Sequence, residues 1–408
     1  MDVLNDTQQG KARFAAGREA ISKTLSYYAS YIMLGLATAV IGPTLPWLAE
    51  QTRVRLSEIS YLFTANSLGY LVGSLLGGRF YDRTSGHPLM AWALFALLAM
   101  LALVPLIPSL WLLILVILLI GFTSAILDVG GNILLMWIHG SRVGPFMSGL
   151  HFCFGLGALI SPLIVAQVLR MGGQVQWTYW IIALLIVSPA LVILRKRSPE
   201  IPAHSEDGKS AGDAVFVLLM AFFFFLHVGA EISFGGWIFT YAVKMDLADR
   251  AVAAYLTSLF WGSLTLGRLL GVPIAALANP RVILIGDLSG CLIGVGILLF
   301  LSQSQAALWG GTALLGLSIA SIFPTSFTFA ERHLPMSGKI TSWFLIGASL
   351  GGMFLPWFIG QLFERIGPRV TMGILLIDVF AGLAVVLVLL RYATHRRKSP
   401  YSSTLSQP

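Results

Sequence analysis

The chain has 408 residues, of which 57% are hydrophobic and only 11% charged, with a formal net charge of +8. Soluble domains carry roughly 25% charged residues, so this composition cannot supply a polar surface and excludes a large soluble protein. Its two cysteines, Cys153 and Cys291, lie in apolar runs, and no CxxC or HExxH pattern occurs. No disulfide framework, metal centre, cofactor or redox chemistry is therefore expected.

The first two dozen residues are polar and of mixed charge, and the apolar run after them is too long for a signal peptide's core. Six apolar stretches follow, at about 25–49, 57–78, 88–107, 110–137, 144–170 and 177–194. Each can cross a hydrocarbon layer of about 30 Å as a helix, the form that satisfies its own backbone in lipid. A polar segment with Pro199 and Pro202 separates them from six more, at about 214–243, 251–277, 281–301, 306–330, 338–363 and 369–391. The reading is an all-α membrane protein of twelve spans: a six-helix half over 1–195, a cytoplasmic linker over 196–213, and a second half over 214–408 with a short basic tail.

If the N-terminus is cytoplasmic, 19 of the 26 lysines and arginines fall in cytoplasmic segments. That bias places both termini inside. It also explains the positive charge as an orientation signal rather than a nucleic-acid footprint.

The halves resemble each other. Gly73-Ser74-Leu75-x-x-Gly78-Arg79 in the second span matches Gly262-Ser263-Leu264-x-x-Gly267-Arg268 in the eighth. The fifth and eleventh spans open with Pro145-Phe146-Met147-Ser148-Gly149 and Pro335-Met336-Ser337-Gly338, and later carry Pro162-x-x-x-x-Gln167 and Pro356-x-x-x-x-Gln361. A parallel repeat of six-helix halves places a substrate site at the midplane between them.

The loop after the second span, Gly78-Arg79-Phe80-Tyr81-Asp82-Arg83-Thr84-Ser85-Gly86-His87, resembles the signature loop of the major facilitator superfamily, with His87 where a basic residue is usual. The runs Leu127-Asp128-Val129-Gly130-Gly131-Asn132, His151-Phe152-Cys153-Phe154-Gly155, Gly229-Ala230-Glu231 through Trp237, and Tyr255-Leu256-Thr257 through Gly262 look like the sodium-dependent glucose transporter branch, which is related to bacterial fucose permeases. That resemblance implies a major facilitator fold and cation-coupled sugar uptake. The permeases pair a fourth-span carboxylate with an Asn four residues on, as Asp128 and Asn132 stand here. They also carry a first-span Asp, whereas this first span offers only Tyr31, Thr38 and Thr44.

Four carboxylates fall within apolar spans: Asp128, Glu231, Asp287 and Asp378. A charge at membrane depth requires a partner, a water-lined cavity or a proton. Ser124, Asp128 and Asn132 share one helix face, and Gly130 and Gly131 would let another backbone approach. His227 lies one turn before Glu231, and Gly235 and Gly236 could interrupt the seventh helix and free carbonyls. Asp128, Glu231 and His227 are the candidate cation-coupling residues, for sodium or a proton. Candidate sugar contacts on the cavity helices are Asn132, His151, Trp237, Tyr241, Thr325 and Trp343. Arg79, Asp82 and Arg83 read as a gating lock between helix ends, with Arg268 and Glu331 as the second-half analogue. Asp287 reads as an ion-pair partner of Arg268. Asp378, on the usually peripheral twelfth span, reads as structural.

Two other functions compete. A proton-coupled exporter of hydrophobic compounds would be expected to show a Gly-Pro dipeptide in the fifth span, where Gly155, Gly157 and Pro162 are separated instead. A non-transporting sensor would be expected to carry an added soluble domain, for which the tails are too short. No nucleophile–base–orienter set suggests an enzyme. The expected partners are a small-molecule substrate, a sodium ion or proton, and the lipid bilayer; the protein is expected to be a monomer in the cell membrane.

Overall fold

The computed structural model of the chain describes residues 2–200, 213–301, 303–334 and 336–398. Residues 201–212 of the linker, Pro335 of the repeated helix opening and the tail from 399 lie outside these. Among the described residues, eleven helices are long and apolar enough to cross a bilayer, and a further span comes from Gly17–Ala39 and Ile41–Thr52, which meet at 47°. The twelve are numbered here as spans. Span 1 is the bent pair. Spans 2 to 6 are Leu56–Arg83, Gly86–Leu106, Leu110–Arg142, Gly144–Arg170 and Gln176–Leu194. Spans 7 to 12 are Ala214–Lys244, Arg250–Leu277, Pro280–Phe300, Gln305–Glu331, Lys339–Ile366 and Val370–Ala393.

Proline sets the two main breaks. Pro43 has no N–H to give to the Ala39 carbonyl, and span 1 turns at Val40. In span 10 the helix stops at Ile319 and resumes at Ile322, where Pro324 leaves the Ala320 carbonyl without its helical donor. Span 7 runs unbroken from Ala214 to Lys244, so Gly235 and Gly236 do not interrupt it. They serve close packing instead. A Cβ on Gly235 would meet the Trp261 indole, and one on Gly236 the Phe63 ring.

The duplication read from sequence is visible as matched packing. Gly157 of span 5 seats on the Ile32 carbonyl of span 1, and Gly351 of span 11 on the Phe225 carbonyl of span 7, so that no Cβ would fit at either. Each of these glycines stands five residues ahead of the repeated proline, Pro162 or Pro356. Gly73 likewise seats on the Phe122 carbonyl, joining spans 2 and 4, and Gly267 on the Leu317 carbonyl, joining spans 8 and 10. In lipid, where apolar surface gains little by leaving solvent, such backbone contact is what holds helices together.

The bonds traced between the halves lie toward the end remote from the termini. Gln361 of span 11 donates to the Ser57 carbonyl of span 2 at 2.8 Å, and Glu364 accepts from the Leu56 N–H at 2.9 Å. Gln167 of span 5 donates to the Tyr255 hydroxyl of span 8 at 2.8 Å, and Arg250 pairs with Glu50 at 3.1 Å. The two repeated glutamines thus clasp opposite halves. At the other end, residues 272–277 of span 8 are exposed on every side. The halves are sealed at the far end and parted toward the termini.

Candidate functional site

Two polar clusters sit near the middle of the spans, one in each half. In the first, Asp128 projects from span 4 between spans 1 and 2. Its Oδ1 accepts from the Tyr31 hydroxyl at 2.8 Å and its Oδ2 from the Tyr70 hydroxyl at 2.5 Å. Asn132, one turn on, donates to the Tyr31 oxygen at 2.8 Å and to the Asp128 carbonyl at 2.9 Å. Gly130 and Gly131 make this possible by admitting tyrosine side chains rather than a backbone. A Cβ on Gly131 would strike the Tyr31 ring, and one on Gly130 the Tyr81 hydroxyl. His151 of span 5 meets Tyr31 edge-on, centroids 6.1 Å apart, and is itself exposed. All the bonds to this carboxylate come from neutral groups, and no lysine or arginine pairs with it among the described residues.

In the second cluster, Glu231 of span 7 pairs through Oε1 with Arg268 of span 8 at 3.5 Å. Its Oε2 lies 3.7 Å from His227 Nε2, beyond hydrogen-bonding distance. Arg268 therefore does not form the pair with Asp287 that the sequence suggests. Asp287 instead accepts from the Ser321 hydroxyl of span 10 at 2.5 Å. The reason is reach: span 8 packs against span 7 as well as span 10, and the guanidinium extends toward the deeper carboxylate.

Of the proposed sugar contacts, Asn132 and His151 come together with Asp128. Thr325 is buried in span 10, and Trp343 of span 11 is exposed. Two others are elsewhere. Trp237 is fully buried, donates its indole N–H to the Pro356 carbonyl at 2.9 Å, stacks on Phe363, and has the Phe63 ring tilted beside it at 6.0 Å. It belongs to the far-end seal. Tyr241 is fully buried and donates to the Leu298 carbonyl of span 9 at 3.1 Å, a contact within the second half. Both aromatics satisfy their polar atoms on backbone, so neither is free to bind a solute in this state.

At the parted end, Arg79, Asp82, Arg83 and Glu331 are exposed. The unusual His87 of the signature-like loop is wholly buried. Its Nδ1 donates to the Lys196 carbonyl at 3.0 Å and its Nε2 accepts from Tyr27 at 2.7 Å, a socket sized for imidazole rather than a long cation. Lys196, just past span 6, donates to Ser22 and Ser26 of span 1. Burial and the nearby Lys23 hold its ammonium below the ordinary lysine range.

Tyr70 and the Arg268–Glu231 pair are what sequence reasoning missed. Tyr70 is one tyrosine in an apolar run, and nothing local marks it as aimed at span 4.

The family model described as Major Facilitator Superfamily matches residues 27–356. The chain belongs to that superfamily. The transporter is 33% identical to the sodium-dependent glucose transporter 1 of Xenopus laevis over 361 residues, 80% of this chain and 73% of that one. It is 28% identical over 492 residues to major facilitator superfamily domain-containing protein 4A of Mus musculus, 96% and 95% of the two chains. Among solved structures it matches the nucleoside transporter NupG with a TM-score of 0.74 at 13% identity, over 91% of this chain and 99% of that one. The D-xylose–proton symporter gives 0.70 at 11% identity, over 90% and 97%. At those identities the likeness is one of fold.

Proposed function

We propose that this transporter takes up a sugar, glucose first among candidates, together with a cation, by rocking its two halves about the midplane. The observation that carries the reading is the cradle at Asp128. The carboxylate is held by tyrosine hydroxyls and Asn132, all neutral, so its charge has no counter-ion among the described residues. A cation completes it: sodium among the carboxylate and tyrosine oxygens, or a proton on the carboxylate. Glu231 already has Arg268, and so serves as the second-half charge that the cation and solute perturb. Asn132 and His151, next to the cradle, supply directional hydrogen bonds for sugar hydroxyls, and Thr325 and Trp343 are the second-half candidates for further contacts. The name carried by the Xenopus laevis relative supports both the sugar and sodium. In this reading both termini are cytoplasmic, the parted end opens inward, and a monomer in the cell membrane is the working unit.

The test is uptake of labelled glucose into proteoliposomes under an inward sodium gradient, an inward proton gradient, or neither. Accumulation under one gradient, lost in Asp128→Asn, supports the reading and names the ion. Full accumulation by Asp128→Asn removes the coupling role of the cradle. No glucose flux under any gradient removes the sugar.

A further inference from the structure

On the side of the termini, where spans 1 and 6 pack together, a groove of about 240 Å³ is lined by Glu19, Ser22, Lys23, Lys196 and Arg197. Three cations thus share it with one carboxylate. Glu19 pairs with Lys23 at 2.8 Å, and the Lys23 side chain is only 13% exposed. Lys196 has no acid partner among the described residues. Its ammonium donates to the Ser22 carbonyl, to the Ser22 hydroxyl at 2.8 Å and to the Ser26 hydroxyl at 2.6 Å, all neutral acceptors. Its backbone is fixed as well. His87 Nδ1 donates to the Lys196 carbonyl at 3.0 Å, and the His87 N–H donates to the Ser198 hydroxyl at 2.9 Å.

We infer that this groove binds the headgroup of an anionic phospholipid from the leaflet on the side of the termini. Two ammonium groups and a guanidinium repel one another, and a bound anion relieves that repulsion. The strain shows at Lys196, which burial and the neighbouring Lys23 hold below the ordinary lysine range. Arg197 is the exposed member of the three. Its planar guanidinium offers the paired donors that a phosphate accepts, while Lys196 and Lys23 add charge behind it.

The apolar neighbours favour a lipid over a soluble anion. Ile21 and Leu25 adjoin the groove residues along span 1 and are 56% and 60% exposed. Leu191 and Leu194, just before Lys196 on span 6, are 40% and 50% exposed. A basic groove therefore meets apolar surface where two spans leave the membrane, the setting in which anionic headgroups are recognised. Free phosphate would use the charges and leave the apolar surface idle. A phospholipid uses both, with its phosphate in the groove and its chains along spans 1 and 6.

Native mass spectrometry of the purified full chain in detergent, titrated with phosphatidylglycerol or with phosphatidylcholine, tests this without any transported solute. The expected result is one phosphatidylglycerol bound more tightly than phosphatidylcholine. K196Q and R197Q should each weaken it roughly fivefold and leave phosphatidylcholine unchanged. Because K196Q also removes the bonds that tie span 6 to span 1, E19Q is the further variant. It takes away the groove's one acid and should tighten binding, a gain that a merely structural Lys196 would not produce. Equal affinity for the two lipids, a preference unchanged in K196Q and R197Q, or no gain in E19Q overturns the proposal. Displacement of the lipid by inorganic phosphate at matched ionic strength would assign the groove to a soluble anion instead. A preference that emerges only in E206Q/D207Q would assign it to the chain's own linker. The inference rests on the groove alone, so failure of glucose uptake would leave it standing, and failure here would leave the Asp128 cradle standing.

Discussion

Tyr70 and Arg268 show how much of the site depends on single side chains. Tyr70 gives a charge-assisted hydrogen bond to Asp128 Oδ2. Such bonds contribute about 1.5–3 kcal/mol, and removing the donor strands the acceptor. Tyr70→Phe should therefore lower the stability of the detergent-purified protein by about 2 kcal/mol, read as a loss in thermal-unfolding temperature. An unchanged midpoint would mean that water replaces the hydroxyl freely. Arg268→Met leaves Glu231 with no cation and should be more damaging, by about 3–5 kcal/mol. Adding Glu231→Gln should recover part of that loss, because the stranded charge goes with it; a double variant as damaged as the sum of the singles would show that the pair is not coupled. At this scale the sequence was partly legible. Asp128 and Asn132 stand out because a four-residue spacing inside an apolar run is a local signal. Tyr70 does not, because its partner lies 58 residues away.

At the scale of the elements, glycine divides into two kinds that sequence cannot tell apart. Gly351 seats on the Phe225 carbonyl, while a Cβ on Gly286 of span 9 would meet nothing within 4 Å. Gly351→Val should prevent spans 7 and 11 from closing and abolish folded yield in size-exclusion chromatography. Gly286→Ala should raise stability by roughly 0.5–1 kcal/mol, since alanine loses less chain entropy in a helix. If both variants behaved alike, the backbone contact would not be what sets the crossing. The same distinction corrects the reading of Gly235 and Gly236. Two adjacent glycines look like a helix break, yet the close approach of Phe63 and Trp261 accounts for them within a continuous helix.

For the whole molecule, the informative contacts are those between halves. The bonds from Glu364 to span 2, to the Leu56 N–H and the Ser57 hydroxyl, must break if the far end is to open. Cysteines at Ser57 and Glu364, joined by a short reducible cross-linker, should stop flux, and reductant should restore it. Undiminished flux through fully cross-linked protein would rule out opening at that end. The repeated Pro-x-x-x-x-Gln segments belong to this scale as well. Each sets a glutamine on the opposite half, and the glycine five residues ahead of its proline seats on a neighbouring helix, so a duplicated stretch of sequence builds both a joint and a latch.

The sequence by itself determined the number of spans, the duplication and the presence of carboxylates at membrane depth. These follow from span length in lipid and from spacing along one helix, which are local properties. Only the tertiary structure decided which groups those carboxylates meet. Asp128 met two tyrosines from other spans, Glu231 met Arg268 in place of Asp287, and Trp237 and Tyr241 turned to backbone carbonyls. Side-chain partners are set by helix crossing and rotation, and these depend on close contacts, such as Gly157 on Ile32 and Gly351 on Phe225, between residues far apart in the chain.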